Sequence, residues 1–421
     1  MIKGQLPYGV GDLFFEYAAQ QRALEHRLRQ VFGAWAYAEL ILPTLEYADV
    51  VSGPAGSQLA SNIMRFVDRD GETLALRPDM TIPTARAVAT KLYDQPQPLR
   101  LCYVGSVFRY EDPQGGRRRE FTQAGFELIG ADTVAADAEV LQLTVAALRA
   151  ADLQRFVLTI GHMGFYRSLL AALALPGDAE AALTAAIDRK RQGDLLQLLA
   201  TLPLTAAAQR SLRTLPSLSG QQGVFDQALD VCLTPAMAAA VTHLHQVWQR
   251  LDELDLAAHI LVDFSEIRGM AYYTGLTFEG FAPGAGAALC SGGRYDDLIG
   301  HFGAPRPAVG CALVVDRLLL TARHQGTQLP AVTPGWLVGS APDSDLRPLQ
   351  VWLDDQRTRG QVIDVDLLGR DETTLRAVQQ ARGIRQLVWY AGPAAITLHT
   401  ADGTRHLTLD ELLALSDKGV S

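Results

Sequence analysis

The sequence predicts a mixed α+β fold, with a large domain over residues 1–325 and a small α/β domain over 333–421. Two stretches that alternate apolar and polar residues, 101–111 and 119–129, predict a long antiparallel hairpin. An Ala- and Leu-rich stretch over about 175–251 has few β-branched runs and predicts a helical insertion. We therefore expect the large domain to be an antiparallel sheet flanked by helices.

Composition limits the class of protein. The chain has 421 residues, is 48% hydrophobic and 20% charged, and is typical of a globular protein with two or three domains. No apolar run reaches the roughly 18 residues of a membrane span, and the N-terminus lacks the apolar region of a signal peptide. We expect a cytoplasmic protein without membrane contact. Its four scattered cysteines predict free thiols and no metal site.

The chain begins with a Pro- and Gly-rich turn and a predicted helix over Leu13 to Trp35, where apolar residues recur at helical spacing. The segment LILPTLEYADV predicts a strand that breaks at Pro43. Residues 63–76 predict a second hairpin, with Asp70-Gly71 at its turn.

A helix is predicted to begin at Asp79-Met80-Thr81, after Pro78 ends the preceding strand. Asp79 or Thr81 could cap this helix, a role that requires no ligand.

The long hairpin separates its side chains by parity, because successive residues of a strand face opposite sides of a sheet. The apolar, even-numbered residues predict a buried face: Val104, Phe108, Tyr110, Phe126 and Leu128. The odd-numbered residues predict a floor for a small polar ligand: Gly105, Arg109, Glu111, Gln123, Gly125 and Glu127. The loop adds Arg117, Arg118 and Arg119, which could bind a phosphate or carboxylate. From composition alone, a surface hairpin with a solvated polar face explains the same pattern.

Beyond the hairpin, residues 131–153 predict a helix that Thr133 could cap. His162 follows a predicted strand and is interpreted as a structural residue. Strands are predicted again over 260–264 and 272–281, and Gly292-Gly293 indicates a close approach of the backbone to a ligand. From Thr333 onward strands and helices alternate, and nine Lys and Arg face twelve Asp and Glu, a poor surface for RNA.

Three motifs occur in an order that points to one family. FRYEDPQGGRRREFTQAGFELIG, over 108–130, resembles motif 2 of the class II aminoacyl-tRNA synthetases, in the form found in histidyl-tRNA synthetase. IRGMAYYTGLTFEGF and CSGGRYDDLIGHFG agree with the same family. AVGCALVVDRLLL resembles motif 3, and the 13–50 region resembles motif 1, which builds a dimer interface in the family. The resemblance implies a class II synthetase-like core over about the first 320 residues.

The resemblance also implies a histidine pocket. Its residues would be Asp79, Thr81, Arg109, Gln123, Glu127, Arg268, Tyr272, Tyr273 and Tyr295. The two carboxylates and the amide of Gln123 would suit the ammonium group, Arg268 the carboxylate, and Tyr273 and Tyr295 the ring. Arg117, Arg119 and Arg317 would be candidates for binding an anion or phosphate. No catalytic residue, cofactor or metal is assigned.

Several positions depart from the synthetase pattern. They are Asp79 in RPDMT, Arg118, Thr122, Ala271 and the Val314–Asp316 segment of motif 3. Together they favour a retained amino-acid pocket with altered ATP and tRNA sites. The sequence is therefore most similar to the regulatory subunit of short-form ATP phosphoribosyltransferase, which acts in the first step of histidine biosynthesis.

That resemblance implies a non-catalytic protein with a catalytic partner subunit, histidine as effector, and a homodimer within a hetero-octamer. An active histidyl-tRNA synthetase remains the alternative, since its arginines and Glu111 are present. A free-standing tRNA-binding or signalling protein of the same descent is a third possibility, although tRNA binding is not expected.

Overall fold

The computed structural model describes residues 4–110, 118–189, 191–267, 272–327 and 334–416, without the side chains of 55–58 and 416. The chain divides into two compact units, Met1–Pro330 and Ala331–Ser421.

Twelve strands are described in the large unit. They are β1 Ala38–Glu39, β2 Leu45–Tyr47, β3 Arg65–Val67, β4 Thr73–Leu76, β5 Leu99–Phe108, β6 Glu120–Ile129, β7 Val157–His162, β8 Ser219–Gly220, β9 Ile260–Asp263, β10 Leu276–Phe281, β11 Cys290–Arg294 and β12 Ala308–Val314. Nine of them form one sheet in the order β1-β5-β6-β12-β11-β10-β7-β9-β8, and β2, β4 and β3 form a small second sheet. The large sheet is mostly antiparallel, as predicted, but β1 pairs with β5 and β7 pairs with β9 in parallel.

Eleven helices are described in the same unit. They are α1 Phe15–Ala34, α2 Ala48–Ser61, α3 Thr81–Lys91, α4 Val134–Ala150, α5 Met163–Leu173, α6 Gly177–Asp188, α7 Gln192–Thr201, α8 Ala206–Thr214, α9 Val224–Leu229, α10 Pro235–Asp252 and α11 Val315–His324. Helices α6 to α10 lie within the predicted insertion, which also contributes strand β8. The insertion is therefore not purely helical.

The predicted long hairpin is formed by β5 and β6, which pair antiparallel from Leu99 opposite Ile129 to Phe108 opposite Glu120. On its even-numbered face, Phe126 and Leu128 are fully buried in the main core. The ring of Phe126 lies 5.2 Å from that of Phe32, so α1 packs directly on this face. Burial of such aromatic side chains is a principal source of the stability of the unit.

Two expectations for the N-terminal half are wrong. Tyr110 is 56% exposed rather than buried, because β5 ends at Phe108 and the strand parity no longer applies beyond it. The predicted strand through residue 50 ends at Tyr47, and α2 begins at Ala48. Gly53 and Pro54 interrupt the helical pattern of α2 in the sequence, which explains why it was missed.

The small unit contains five strands and three helices in its described residues. They are β13 Trp336–Ser340, α12 Arg347–Thr358, β14 Ile363–Val365, α13 Glu372–Arg382, β15 Gln386–Tyr390, β16 Ile396–Thr400, β17 Gly403–Leu407 and α14 Leu409–Ser416. The sheet order is β14-β13-β15-β16-β17. The first three strands are parallel and the last two pairings are antiparallel, as the predicted sequence of elements requires.

None of the helices in the described ranges has the length and apolar character needed to cross a membrane.

A buried ion pair joins α4 to the sheet. The guanidinium of Arg294, on β11, donates to Asp137 Oδ1 through Nη2 at 2.6 Å and through Nε at 3.1 Å. Asp137 is fully buried and Arg294 is 4% exposed. Removal of Asp137 would take away the fully buried partner of this guanidinium and leave it the partly exposed Asp296, 3.1 Å from Nη1. Breaking a buried ion pair typically costs about 3–5 kcal/mol.

We expect Asp137→Ala to lower the free energy of unfolding by about 3–5 kcal/mol in chemical denaturation. Asp132→Ala is the matched control, because Asp132 lies 3.7 Å from the same arginine but its side chain is 75% exposed. If the two substitutions lowered the free energy of unfolding equally, burial of the ion pair would not be the cause of the destabilisation.

Candidate functional site

A narrow cavity opens on the odd-numbered face of the β5–β6 hairpin. It contains about 350 Å³ of empty space, part of it open to solvent. Eight of the predicted pocket residues line it: Asp79, Thr81, Arg109, Gln123, Glu127, Tyr272, Tyr273 and Tyr295. The strand alternation therefore places the polar side chains opposite the apolar core, as the parity argument predicted.

Glu127 lies at the centre of the polar residues and is 1% exposed. Its Oε1 accepts hydrogen bonds from the hydroxyls of Thr81 and Tyr103, both at 2.9 Å. Its Oε2 accepts a hydrogen bond from the Tyr295 hydroxyl at 2.5 Å. Burial raises the pKa of Glu127 to about 7, although the three hydroxyl donors act in the opposite direction.

Two glycines provide the space for this network. A Cβ atom at Gly310, on β12, would lie 1.6 Å from Glu127 Oε2. A Cβ at Gly125 would lie 2.6 Å from the hydroxyl oxygen of Tyr103. Any side chain at either position would therefore displace Glu127 or the tyrosine that holds it.

Asp79 supplies the second buried carboxylate, and it is 2% exposed. Oδ1 accepts a hydrogen bond from the Ile82 backbone N–H at 3.1 Å, so the predicted capping role is present at the start of α3. Oδ2 is buried and has no hydrogen-bond partner within the described residues. Burial raises the pKa of Asp79, and the charge of Arg109 opposes this effect. An unpartnered buried oxygen in a cavity indicates a ligand that donates a hydrogen bond.

Arg109 and Gln123 are held in place by the backbone around Asp79. Arg109 Nε donates to the carbonyl of Pro78 at 2.8 Å, and its guanidinium lies over the ring of Phe121, 5.4 Å from the centroid. Gln123 Oε1 accepts a hydrogen bond from the Met80 N–H at 3.0 Å. The amide nitrogen of Gln123 is therefore directed away from the backbone and is available as a donor.

Tyrosine rings form another wall of the cavity. The centroid of the Tyr272 ring lies 5.2 Å from that of Tyr273 and 5.9 Å from that of Tyr295, with edge-to-face orientations in both pairs. Burial raises the pKa of all three hydroxyls well above the usual value, so they remain neutral donors. Neutral aromatic walls beside buried carboxylates favour a small ligand that has both a ring and a positive charge.

Sequence reasoning missed part of the site. Ser291, Gly310, Cys311 and Ala312 also line the cavity, and Tyr103 supports Glu127 without lining it. Tyr103 is odd-numbered on β5, so strand parity could have identified it. The contribution of β12 depends on its pairing with β6, in which Gly310 lies opposite Glu127, and no local pattern indicates that pairing.

The structure separates the remaining candidates from the cavity. Arg119 lies over the ring of Tyr110 at 4.2 Å and that of Tyr8 at 5.6 Å, and Arg317 Nη1 donates to the Ala288 carbonyl at 2.7 Å. Neither lines the cavity. Arg117 and Arg268, together with Glu111, lie outside the described residues. His162 is the N-cap of α5, where Nδ1 accepts from the Gly164 N–H, and burial lowers its pKa to about 3.

Three of the positions that depart from the synthetase pattern lie in direct contact. Asp316, at the start of α11, accepts hydrogen bonds from Arg118 Nη1 at 3.2 Å and from the Thr122 N–H at 2.9 Å. The Thr122 hydroxyl accepts in turn from Gln21 of α1 at 2.9 Å. These three residues therefore form a hydrogen-bonded cluster outside the cavity, joined by the carboxylate of Asp316.

The fold and the site agree with the similarity of the chain to known proteins. A family model described as histidyl-tRNA synthetase matches residues 9–318. A protein named ATP phosphoribosyltransferase regulatory subunit, from Moorella thermoacetica, is 40% identical over 388 residues, which cover 91% of this chain and 97% of that protein. This chain belongs to the histidyl-tRNA synthetase-like family of ATP phosphoribosyltransferase regulatory subunits.

Other members of this family agree along most of their length. A protein of the same name from Symbiobacterium thermophilum is 38% identical, with 92% of this chain and 97% of that protein covered. A crystal structure of an ATP phosphoribosyltransferase regulatory subunit/histidyl-tRNA synthetase from Bacillus halodurans has a TM-score of 0.81 at 30% identity, covering 93% of this chain and 99% of that chain. Histidyl-tRNA synthetase from Nostoc has a TM-score of 0.80 over the full length of both chains at 20% identity, which shows the shared fold.

The raised pKa of Glu127 predicts a pH-dependent stability of the ligand-free protein. The folded pKa of about 7 exceeds the ordinary value of 4.5, so its stabilising contribution is fully present below pH 4.5 and is lost as the pH rises through 7. Between pH 5 and pH 8 we expect the wild type to lose about 2–3 kcal/mol relative to Glu127→Gln, as measured by guanidinium denaturation. Glu120→Gln, on the exposed end of the same strand, should follow the wild type. If the difference in unfolding free energy between wild type and Glu127→Gln did not change with pH, the raised pKa of Glu127 would be contradicted.

Proposed function

We propose that the chain is the non-catalytic regulatory subunit of a short-form ATP phosphoribosyltransferase, and that its cavity binds histidine as the feedback effector. A separate subunit carries the catalysis. The observation that supports this most strongly is the buried Asp79 Oδ2, which lies in an otherwise polar and aromatic cavity without a hydrogen-bond partner in the described residues. The ammonium group of an amino acid would supply that partner.

The roles of the other residues follow from their chemistry. The carbonyl oxygen of Gln123, which has a second lone pair beyond the one that accepts from the Met80 N–H, accompanies Asp79 at the ammonium group. Tyr272, Tyr273 and Tyr295 enclose the side chain. Arg109 lines the same cavity and, with Arg268, suits the ligand carboxylate. Thr81 and Glu127 complete the polar floor.

The arginines and the altered motif 3 support a regulatory role over aminoacylation. Arg118 and Asp316 pair with each other, Arg119 stacks on tyrosines, and Arg317 donates to a backbone carbonyl. These guanidinium groups are therefore engaged in structural contacts, whereas phosphoryl chemistry on ATP requires charges directed at the reacting phosphate. In this proposal the pocket for the amino acid is retained and tRNA is not a partner.

Regulation requires that histidine bind the active and the inhibited state of the complex with different affinities. We infer that this protein forms a homodimer within a hetero-octamer, so that histidine in one type of subunit changes the activity of the other. The complex would act in the cytoplasm, where its partner consumes ATP.

The decisive measurement is ATP phosphoribosyltransferase activity when this protein is mixed with a short-form catalytic subunit from the same organism. We expect activity to increase on mixing and to decrease when histidine is added. Charging of tRNA with labelled histidine, measured in parallel, tests the synthetase alternative. Charged tRNA without an effect on the transferase would overturn the proposal.

Asp79→Asn tests the cavity itself. Loss of the charge should weaken a charge-assisted hydrogen bond to the ammonium by about 1.5–3 kcal/mol, so at least about tenfold more histidine should be needed for half-inhibition of the mixture. Each mixture is compared with its own activity without histidine. Asp132→Asn is the matched control, because that side chain is 75% exposed. An unchanged histidine response in Asp79→Asn would place the effector elsewhere.

The homodimer has its own test on β2 and the segment that precedes it. Ile41 is 94% exposed, and Leu45 and Tyr47 are about half exposed, in the region that resembles the motif 1 interface. We expect Ile41→Asp to shift the mass of the isolated protein, measured by light scattering, from dimer toward monomer. Leu367→Asp, at an 89% exposed position of the small unit, should remain dimeric. A dimer that tolerates Ile41→Asp but not Leu367→Asp would place the interface in the small unit.

A further inference from the structure

The small unit has a cavity of its own, on the face of its sheet that carries Trp389. Pairing of β15 with β16 and of β16 with β17 places Trp389, Thr397 and His406 in one row across three strands. Directly paired residues point to the same face of a sheet, and all three residues line the cavity. It contains about 790 Å³ of empty space, part of it open to solvent.

Helix α13 covers part of this face. Leu375 of α13 packs with Leu387 and Trp389, over β13 and β15. The helix begins at Glu372, which also lines the cavity, and His406 on the edge strand β17 is exposed. The cavity therefore lies between the start of α13 and the exposed edge of the sheet.

Two glutamates bring carboxylates to this cavity, and the protein holds one oxygen of each. Glu372 Oε1 lies 2.7 Å from Nε2 of the buried His399, whose Nδ1 lies 2.9 Å from the Thr404 hydroxyl. Glu411 Oε2 accepts hydrogen bonds from the Thr408 N–H at 2.8 Å and from its hydroxyl at 3.1 Å. Among the residues that the structure describes, the second oxygen of each glutamate has no hydrogen-bond partner. Both carboxylates are therefore oriented and can still accept hydrogen bonds.

The charge of the lining favours a cation. The hydrogen bonds from Thr408 lower the pKa of Glu411, and the charge of Arg405 acts in the same direction although Arg405 does not line the cavity. Among the described residues that do line it, His406 is the only basic side chain. The helix dipole favours an acid in the first turns of α13 and α14, but it does not explain why both acids line one cavity. A ligand that donates hydrogen bonds and carries positive charge would satisfy them.

Trp389 and its surroundings define the shape of that cation. A Cβ atom at Gly339 would lie 3.1 Å from Cε3 and Cζ3 of Trp389, so the indole is packed on the backbone of β13. Ala391, Ala394 and Ala395 line the same cavity with small side chains, which leaves room for an aliphatic chain. A guanidinium group is planar, stacks on aromatic rings and has five N–H donors, so it can contact an indole and two carboxylates together. An ammonium group is a compact and strongly hydrated charge, which suits this lining less well.

We propose that the cavity of the small unit binds a guanidinium group on an aliphatic chain, as in arginine. Glu372 and Glu411 accept its hydrogen bonds, and Trp389 stacks on its plane. The site is additional to the cavity of the large unit and does not depend on which ligand that cavity binds. Free arginine and an arginine side chain of a partner protein share this chemistry.

The test is calorimetric titration of the full chain with L-arginine at pH 8, where histidine side chains in general carry little charge. L-Citrulline is the matched ligand, because a neutral urea group replaces the guanidinium at the end of the same chain. We expect arginine to bind and citrulline to bind at least about fivefold more weakly, since it lacks the charge that both carboxylates attract.

Variants of the two glutamates locate the site. Glu372→Gln and Glu411→Gln keep an oxygen for the contacts with His399 and Thr408 but remove the charge. Each should weaken arginine binding about threefold to fivefold, and the double variant about tenfold or more, because single exposed charge pairs contribute little. Asp410→Asn is the matched control, since Asp410 is exposed beside Glu411 and does not line the cavity.

Nα-acetyl-L-arginine amide distinguishes the two sources of the guanidinium. If it binds as tightly as L-arginine, the chain and its guanidinium suffice, and the ligand is an arginine side chain of a partner protein. If only free arginine binds, the ligand is the amino acid itself. Either result supports the site.

Three outcomes would overturn the proposal. They are an absence of arginine binding, equal binding of arginine and citrulline, and arginine binding that is the same in the wild type and in the double variant. The comparison of arginine with citrulline uses the wild type alone, so it does not depend on whether the variants fold.

Discussion

The carboxylate of Glu127 is the constraint on which the cavity depends. A carboxylate removed from water must be hydrogen-bonded, and the donors that satisfy it come from separate parts of the chain. The donors are Thr81 at the start of α3, Tyr103 on β5 and Tyr295 in the segment after β11. A shift in any of these elements would remove one of the three donors. One buried acid therefore fixes the relative positions of elements that lie far apart in sequence, and with them the walls of the ligand site.

Strand β6 contributes to both the core and the cavity because its side chains alternate between the two faces of the sheet. On β6, Phe126 and Leu128 pack into the main core, whereas Gln123 and Glu127 face the cavity. The core face holds the strand rigidly, and rigidity on one face limits the movement of polar groups on the other. This arrangement preorganises the site, so that little of the binding energy of a ligand is spent on ordering side chains.

Strand parity and motif order predicted much of this arrangement from sequence. The odd-numbered face of the hairpin became the cavity face, and the position of Asp79 at a helix start followed from Pro78 and the cap pattern. Parity failed at Tyr110, where the strand had ended, and it could not identify Gly310, which reaches Glu127 through pairing of β12 with β6. Contacts between distant segments depend on the register of the whole sheet, and no local periodicity encodes that register. The free oxygen of Asp79 and the raised pKa of Glu127 likewise depend on burial by residues that are remote in sequence.

Three positions that differ from the synthetase pattern, Arg118, Thr122 and Asp316, lie in contact outside the cavity. Asp316 accepts hydrogen bonds from the guanidinium of Arg118 and from the backbone N–H of Thr122. None of them lines the cavity, although Thr122 is the immediate neighbour of Gln123 on β6. Because side chains alternate along β6, Thr122 faces α1 and α11, whereas Gln123 faces the cavity. Because the two residues face opposite sides of the strand, a substitution of the Thr122 side chain changes the contacts with α1 and leaves the lining of the cavity as it is.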